Sequence, residues 1–273
     1  MQEKIIDFSQ YTSIKIGTPH LVSILETPQD YYTLSQETSS LKILGKANNL
    51  LISPKAKNLV MLGKNFDYIK DCGDCLEVGA MTPSGKIFSY AKSHNLGGFE
   101  FLSGLPGSLG GIIKMNAGLK EYEIKNSLLG ILCVRDSARL DFVPTQDLGL
   151  AYRSSQISTL IFAGILKKQA DFNPNLVELF KTMRNNQPKE PSFGSCFKNP
   201  KGNYAGALIE KVGLKGKRFG RNQSLCFSPI HANFLVNLGN SDFFEALELI
   251  NLAQNKVQEE CGILLQKEVQ ILE

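Results

Sequence analysis

"FLSGLPGSLGGIIKMNAG", residues 101–118, sets Gly104, Gly107, Gly110 and Gly111 within eight positions and then runs into an apolar stretch. Backbone with few Cβ atoms can come close to a ligand, and a helix that follows would aim its free N–H groups at an anion. The pattern reads GxxGxxGG. It lacks the Gly-Lys-Ser/Thr ending of a nucleotide phosphate loop, because Ile112 follows the last glycines, and it lacks the GxGxxG of a dinucleotide-binding strand-to-helix turn. A second polar turn, "GKANN" at 45–49, follows a strand-like run, with Gly45 and Asn49 able to offer backbone and amide donors. Two such turns in one unit can grip a pyrophosphate from both sides.

Around these turns short helices and strands alternate. "TPQDYYTL" carries a cap-like Thr27 followed by Pro28, and "TPSGKIFSYAKSHNLGG" repeats the device with Thr82 and Pro83 before stopping at Asn95 and Gly97. "LKILGKANNLLIS" and "NLVMLG" read as strands around a polar turn, and "SLLGILCVRD" and "TLIFAGILKK" continue the sheet. The first 167 residues are therefore expected to be mixed α+β. "ADFNPNLVELFKTMRNNQP" then opens a different composition, with Asn173 and Pro174 starting a helix that Pro188 closes, and 167/168 is the expected domain boundary. Near the C-terminus Phe243, Leu247, Ile250, Val257 and Cys261 share one helical face with Gly262 as the stop. In "ILLQKEVQILE" a strand sets Val269 and Ile271 on one face and Glu268 and Gln270 on the other.

Composition narrows the function. At 273 residues the chain can bury a substantial core as one large domain or two to three small ones. The longest apolar runs are strand-length, far below the roughly 18 residues of a membrane span. "MQEKIIDFSQ" has neither a basic start nor an apolar signal core, so a cytoplasmic protein without membrane insertion is expected. Six scattered cysteines then read as reduced thiols, and "CGDC" at 72–75 has no second ligand pair, so it reads as a turn and no metal is expected. A net charge of +4 is too modest for nucleic acid; the cluster Lys211, Lys215, Lys217, Arg218 and Arg221 suits a diphosphate or a solvated face.

Six stretches carry a resemblance. "GFEFLSGLPGSLGGIIKMNAG", "YRSS", "GSCFKNP", "LIEKVGLKGKRFG", "HANFLVN" and "GILLQKEVQIL" occur in this order, and the chain resembles the UDP-N-acetylenolpyruvoylglucosamine reductases, the MurB flavoenzymes of bacterial peptidoglycan synthesis. The resemblance implies a two-lobed FAD-binding unit of the vanillyl-alcohol-oxidase/PCMH-like type over residues 1–167, with lobes of about 1–75 and 76–167, and an α+β substrate-binding domain over 168–273. Non-covalent FAD contacts are implied at Gly45, Asn48, Asn49, Leu50, Gly104, Pro106, Gly107, Ser108, Gly110, Gly111, Asn116, Ala117 and Gly118. Substrate contacts are implied at Tyr152, Lys198, Asn199 and Lys215.

The same resemblance implies that Arg153, Ser195 and Glu268 are catalytic, in a reduction of UDP-N-acetylglucosamine enolpyruvate by NADPH through FAD. Charge developing at C2 and in the neighbouring carboxylate suits a fixed guanidinium, the role of Arg153. Glu268 helps only when protonated, which requires burial to raise its pKa, and Ser195 supplies the proton to C2. His231 of "HANF" reads as a hydrogen-bonded structural residue. The sequence departs from the family at "GKANN", where Lys46 and Ala47 replace two glycines, and at "GRNQSLCF"; it also resembles the shorter form that lacks a tyrosine-bearing loop. An alcohol or lactone oxidase would often tether flavin through a His near the first turn, and residues 41–60 contain none. A flavin-free nucleotide-binding regulator would not need Arg153, Ser195 and Glu268. A monomer is the simpler expectation.

Overall fold

The computed structural model describes residues 1–273, which divide into two compact units. The first comprises 1–4, 22–46 and 58–185; the second comprises 5–21, 47–57 and 186–273.

In the first unit, residues 22–25 of the strand Pro19–Leu25 and the strand Lys42–Leu44 flank Leu59–Leu62 in parallel. Parallel neighbours need a crossover, and the helix Pro28–Glu37 supplies one. Its start follows the expected device: the Thr27 hydroxyl accepts from Asp30 N–H at 3.2 Å while the Asp30 carboxylate accepts from Thr27 N–H at 3.0 Å. The next sheet is antiparallel, in the order Leu140–Pro144, Leu128–Val134, Ile161–Lys167, Cys75–Gly79, Ile69–Asp71. "CGDC" is the hairpin turn of this sheet, with Cys72 N–H donating to Cys75 C=O at 2.9 Å. Since Ile69–Asp71 already belongs to the antiparallel sheet, the change from one lobe to the other comes before residue 69 rather than near 75. One apolar core serves both sheets, from Leu25 and Val60 to Phe99 and Phe162.

The helix Ser84–Ser93 forms where expected, but Thr82 does not cap it. Its hydroxyl donates to Tyr68 C=O at 2.9 Å, and Pro83 stands at the cap position. The boundary also differs from 167/168. The helix Pro174–Arg184 is in the first unit because polar groups at both of its ends hold it there. Asn173 N–H donates to the buried Glu100 carboxylate at 2.8 Å, and the Arg184 guanidinium donates to the carbonyls of Phe101 and Ser103.

The second unit has its own core, built from Phe193, Phe197, Phe227, Leu235 and the inner face of the helix Phe243–Cys261. That helix begins with a reciprocal Asp242–Glu245 cap and ends at Gly262, φ +69°. It buries Phe243, Ala246, Leu249, Ile250, Ala253 and Val257, while Leu247 and Cys261 are only partly covered. Phe234–Asn237 pairs antiparallel with Ser192–Ser195 on one side and Leu225–Phe227 on the other. Leu50–Ile52 pairs in parallel with the C-terminal strand Gln270–Leu272. The two strands around "GKANN" therefore enter different sheets, and the turn carries the chain from one unit into the other. All six cysteines are free, and no helix is long and apolar enough to cross a membrane.

Candidate active site

The four loop glycines have different reasons to be glycine. Gly104 and Gly107 adopt φ of +70° and +120°, where side chains are strained. Gly110 packs tightly, because a Cβ there would stand 3.1 Å from that of Ala80. A Cβ on Gly111 would meet nothing within 4 Å, so that glycine faces open space. The helix that follows is short, Leu109–Lys114, and its first N–H groups are not all free for a ligand. Leu109 N–H donates to Thr82 C=O at 3.0 Å and Gly110 N–H to Ala80 C=O at 2.8 Å, which locks the loop to the preceding segment.

Between these glycines lies Ser108, 1 % exposed, whose hydroxyl is buried with no hydrogen-bond partner. A buried hydroxyl without a partner costs about 1–3 kcal/mol, so the loop retains an unfavourable feature that a bound ligand would relieve. Gly45 stands beside it: a Cβ on Gly45 would be 3.2 Å from Ser108 Oγ. The two polar turns thus meet in the first unit as a cradle of bare backbone around an unpartnered hydroxyl. The turn continues in the second unit with Asn48, whose Oδ1 is likewise buried and unpartnered. Ala47 has φ +50°, so alanine occupies a left-handed position here. The unpartnered Ser108 hydroxyl can donate to a ligand oxygen that approaches main chain closely, and the pyrophosphate of FAD has that chemistry, whereas Asn48 Oδ1 would need a donor.

The end of the same stretch holds Arg153. Ala151 and Ser154 exchange backbone hydrogen bonds of 3.0 and 3.1 Å, making a hairpin with Tyr152 and Arg153 at its tip. Arg153 has φ +51°, a backbone conformation uncommon for residues other than glycine and found at constrained sites. Its guanidinium donates to Gly118 C=O at 2.7 Å and approaches Asn116 C=O at 3.5 Å, and it lies 5.1 Å from the centre of the Tyr152 ring. The fully buried Asn116 secures the arrangement, donating from Nδ2 to Ala151 C=O at 3.1 Å and to Glu123 at 3.0 Å while Oδ1 accepts from Lys125 N–H. The Asn116 side chain is thus committed to protein partners. Gly118 is fixed by packing, since a Cβ would come within 2.1 Å of Tyr122 C=O.

The segments that carry Ser195 and Glu268 meet through backbone hydrogen bonds in the second unit. Cys196 C=O accepts from Glu268 N–H at 2.9 Å and from Val269 N–H at 3.3 Å, so the segment after Ser195 runs against the segment that carries Glu268. Asn49 closes the other side: its Nδ2 donates to Glu268 C=O at 3.0 Å and its own carbonyl accepts from Gln270 N–H at 3.0 Å. Arg153 belongs to the first unit.

Two of the expected substrate side chains, Asn199 and Lys215, already have protein partners. Asn199 Oδ1 accepts from Ala205 N–H at 3.0 Å at the start of the helix Ala205–Lys211, and Lys215 pairs with Glu210 at 2.9 Å. Lys198 N–H donates to Gln266 C=O, and Tyr152 is 46 % exposed. His231 behaves as a structural residue: its Nδ1 accepts from Asn233 N–H at 3.3 Å, and burial pushes its pKa down, favouring the neutral ring. Sequence reasoning missed Arg184, which holds the loop entry at Phe101 and Ser103, and Asn233, which holds the segment after Ser195. The signal for Asn233 was present as an amide inside the apolar run "HANFLVN".

Comparison with known proteins agrees with this geometry. Residues 187–272 match the C-terminal domain family of UDP-N-acetylenolpyruvoylglucosamine reductase. The chain is 51 % identical to the reductase of that name from Helicobacter hepaticus over the full length of both, and 49 % identical to the one from Helicobacter pylori, also full length. It is 41 % identical to a Campylobacter jejuni reductase, covering 98 % of this chain and 100 % of that one. The crystal structure of UDP-N-acetylenolpyruvylglucosamine reductase (MurB) from Thermus caldophilus superposes with a TM-score of 0.86 at 30 % identity over 100 % of both chains. This chain belongs to the UDP-N-acetylenolpyruvoylglucosamine reductase family of oxidoreductases.

Proposed function

We propose that this chain reduces UDP-N-acetylglucosamine enolpyruvate to UDP-N-acetylmuramate in cytoplasmic peptidoglycan precursor synthesis, with non-covalently bound FAD and with NADPH as reductant. The first unit holds FAD, and the C-terminal part of the second unit binds the sugar nucleotide. Held by Gly45, Ser108 and Gly111 of the first unit, the flavin would supply hydride chemistry, from NADPH to C3 of the enolpyruvyl group.

The protein side chains manage charge and the proton. As C3 gains hydride, negative charge grows at C2 and in the adjoining carboxylate. Arg153, held at its hairpin tip by the Gly118 carbonyl, binds that carboxylate. Protonated Glu268 donates a hydrogen bond to the same developing charge, whereas its ionised form would repel it. The Ser195 hydroxyl transfers its proton to C2, which completes saturation of the double bond. The observation that carries this reading is the Cys196 carbonyl shared by the Glu268 and Val269 amides, which pairs the segments of a hydroxyl and a carboxyl residue.

The test is direct. Purified protein should be yellow and release FAD on denaturation. It should bleach anaerobically with NADPH and recolour on addition of the enolpyruvyl sugar nucleotide. A colourless protein, or one that the sugar nucleotide does not recolour, overturns the proposal.

A further inference from the structure

The segment that follows Ser195 is not held by its strand. Ser192–Ser195 pairs with Phe234–Asn237, but the register breaks between Ser192 and Ser195, and Gly194 turns at φ +81°. Beyond this irregularity one side chain takes over. Asn233, 3 % exposed, bonds both backbone groups of Phe197: its Oδ1 accepts from Phe197 N–H at 3.0 Å and its Nδ2 donates to Phe197 C=O at 2.8 Å. The Asn233 carbonyl accepts from Cys196 N–H at 2.7 Å. Only the Cys196 carbonyl is left by this residue, and the Glu268 and Val269 amides donate to it. Asn233 therefore fixes the Cys196–Phe197 dipeptide in the orientation that receives the Glu268 segment.

We infer that Asn233 is a positioning residue for the proton-transfer step, setting Ser195 relative to Glu268 through the Cys196–Phe197 backbone. This rests on the proposed roles of those two residues. An amide is required because Phe197 is fully buried and needs an acceptor and a donor at once. Aspartate, nearly the same shape, offers both only when protonated; ionised, it places an oxygen against the Phe197 carbonyl. Burial favours the protonated form.

The experiment is anaerobic stopped-flow on the holoenzyme, comparing Asn233→Ala, Asn233→Asp and Ser195→Ala. A misplacement of 1 Å can cost about 10²-fold in rate. Asn233→Ala is expected to slow recolouring by the enolpyruvyl sugar nucleotide by about 10- to 100-fold and to change bleaching by NADPH by less than about twofold. Asn233→Asp should regain recolouring rate, relative to the unsubstituted enzyme at the same pH, as pH is lowered and its carboxyl protonates. Asn233→Asp carries the test should Asn233→Ala fail to fold. Amide hydrogen exchange on the flavin-free protein gives a reading independent of activity, with faster exchange expected at Phe197 and Glu268 in both variants. The inference is overturned if recolouring stays within about twofold of the unsubstituted rate, if both half-reactions slow together, or if exchange at Glu268 is unchanged. Normal recolouring by Ser195→Ala would instead overturn the role given to Ser195, and hydrogen exchange would still decide whether Asn233 holds the segment.

Discussion

In the first unit the glycine loop keeps a buried Ser108 hydroxyl without a partner, beside a Gly45 that has no side chain to cover it. In the second unit the Cys196–Phe197 segment and the Glu268 segment have their backbone groups bonded, through Asn233, Asn49 and each other. Both regions are built from glycine, serine and asparagine, so composition does not separate them. The difference lies in whether hydrogen bonds close within the protein. A surface that must receive a large ligand leaves donors and acceptors to be completed by it. A site that must hold a proton donor in place completes them beforehand, because reacting groups need fixed geometry. The Arg153 hairpin follows the second pattern although it lies in the first unit, with Asn116 bonded on every side-chain polar atom.

Substitutions can break this comparison. The largest effect is expected at Arg153→Ala, where turnover should fall by about 10³-fold or more through loss of charge stabilisation. Arg153→Lys should recover little of it, since one ammonium cannot reproduce a planar fork that also reaches Gly118 C=O. Steady-state kinetics checks both. Asn116→Ala should destabilise the flavin-free protein by about 2–4 kcal/mol in urea titration, since it leaves buried groups unsatisfied. Ser108→Ala should do the reverse: the flavin-free protein should be as stable as the parent or more so, while FAD affinity drops about tenfold, near 1.4 kcal/mol. Equal destabilisation of the flavin-free protein by Ser108→Ala and Asn116→Ala would erase the distinction between the regions.

Two smaller effects sharpen it. Ala47→Gly should stabilise by about 0.5–1 kcal/mol, because glycine accepts φ +50° without the Cβ penalty, offset in part by a more flexible unfolded chain. His231 gives a pH signature. Burial lowers its folded pKa below the unfolded value of about 6.5, so its contribution is intact above that pH and is lost as pH falls through the lowered folded value. The urea midpoint should therefore decline below pH of about 6.5, and His231→Gln should flatten that part of the decline.

Local signals in the sequence were legible where local physics decides. The Thr27 cap, the Gly262 stop and the hairpin at "CGDC" depend on neighbours within a few residues, and they form as read. Thr82 failed as a cap because a distant carbonyl, Tyr68 C=O, binds its hydroxyl. The compact units divide after residue 185, not at 167/168, for a similar reason. Nothing near residues 168–185 reveals that Glu100 and the carbonyls of Phe101 and Ser103 bind the ends of that helix. Nor does the "GKANN" turn announce that its two strands join different sheets. At the site, motif order pointed to Ser195 and Glu268, and Asn233 and Asn49 were visible as amides in "HANFLVN" and "GKANN". What stayed hidden was their partners, because the Phe197 and Glu268 backbone groups that these amides bind leave no mark in sequence.

The claim at the centre of this account is that Ser195 acts in the proton step and has no part in reducing the flavin. Anaerobic single-turnover measurement of Ser195→Ala tests it most directly. NADPH should bleach the flavin at the unsubstituted rate, and the enolpyruvyl sugar nucleotide should then recolour it about 10²- to 10⁴-fold more slowly. Equal slowing of bleaching and recolouring, or undiminished recolouring, would contradict it.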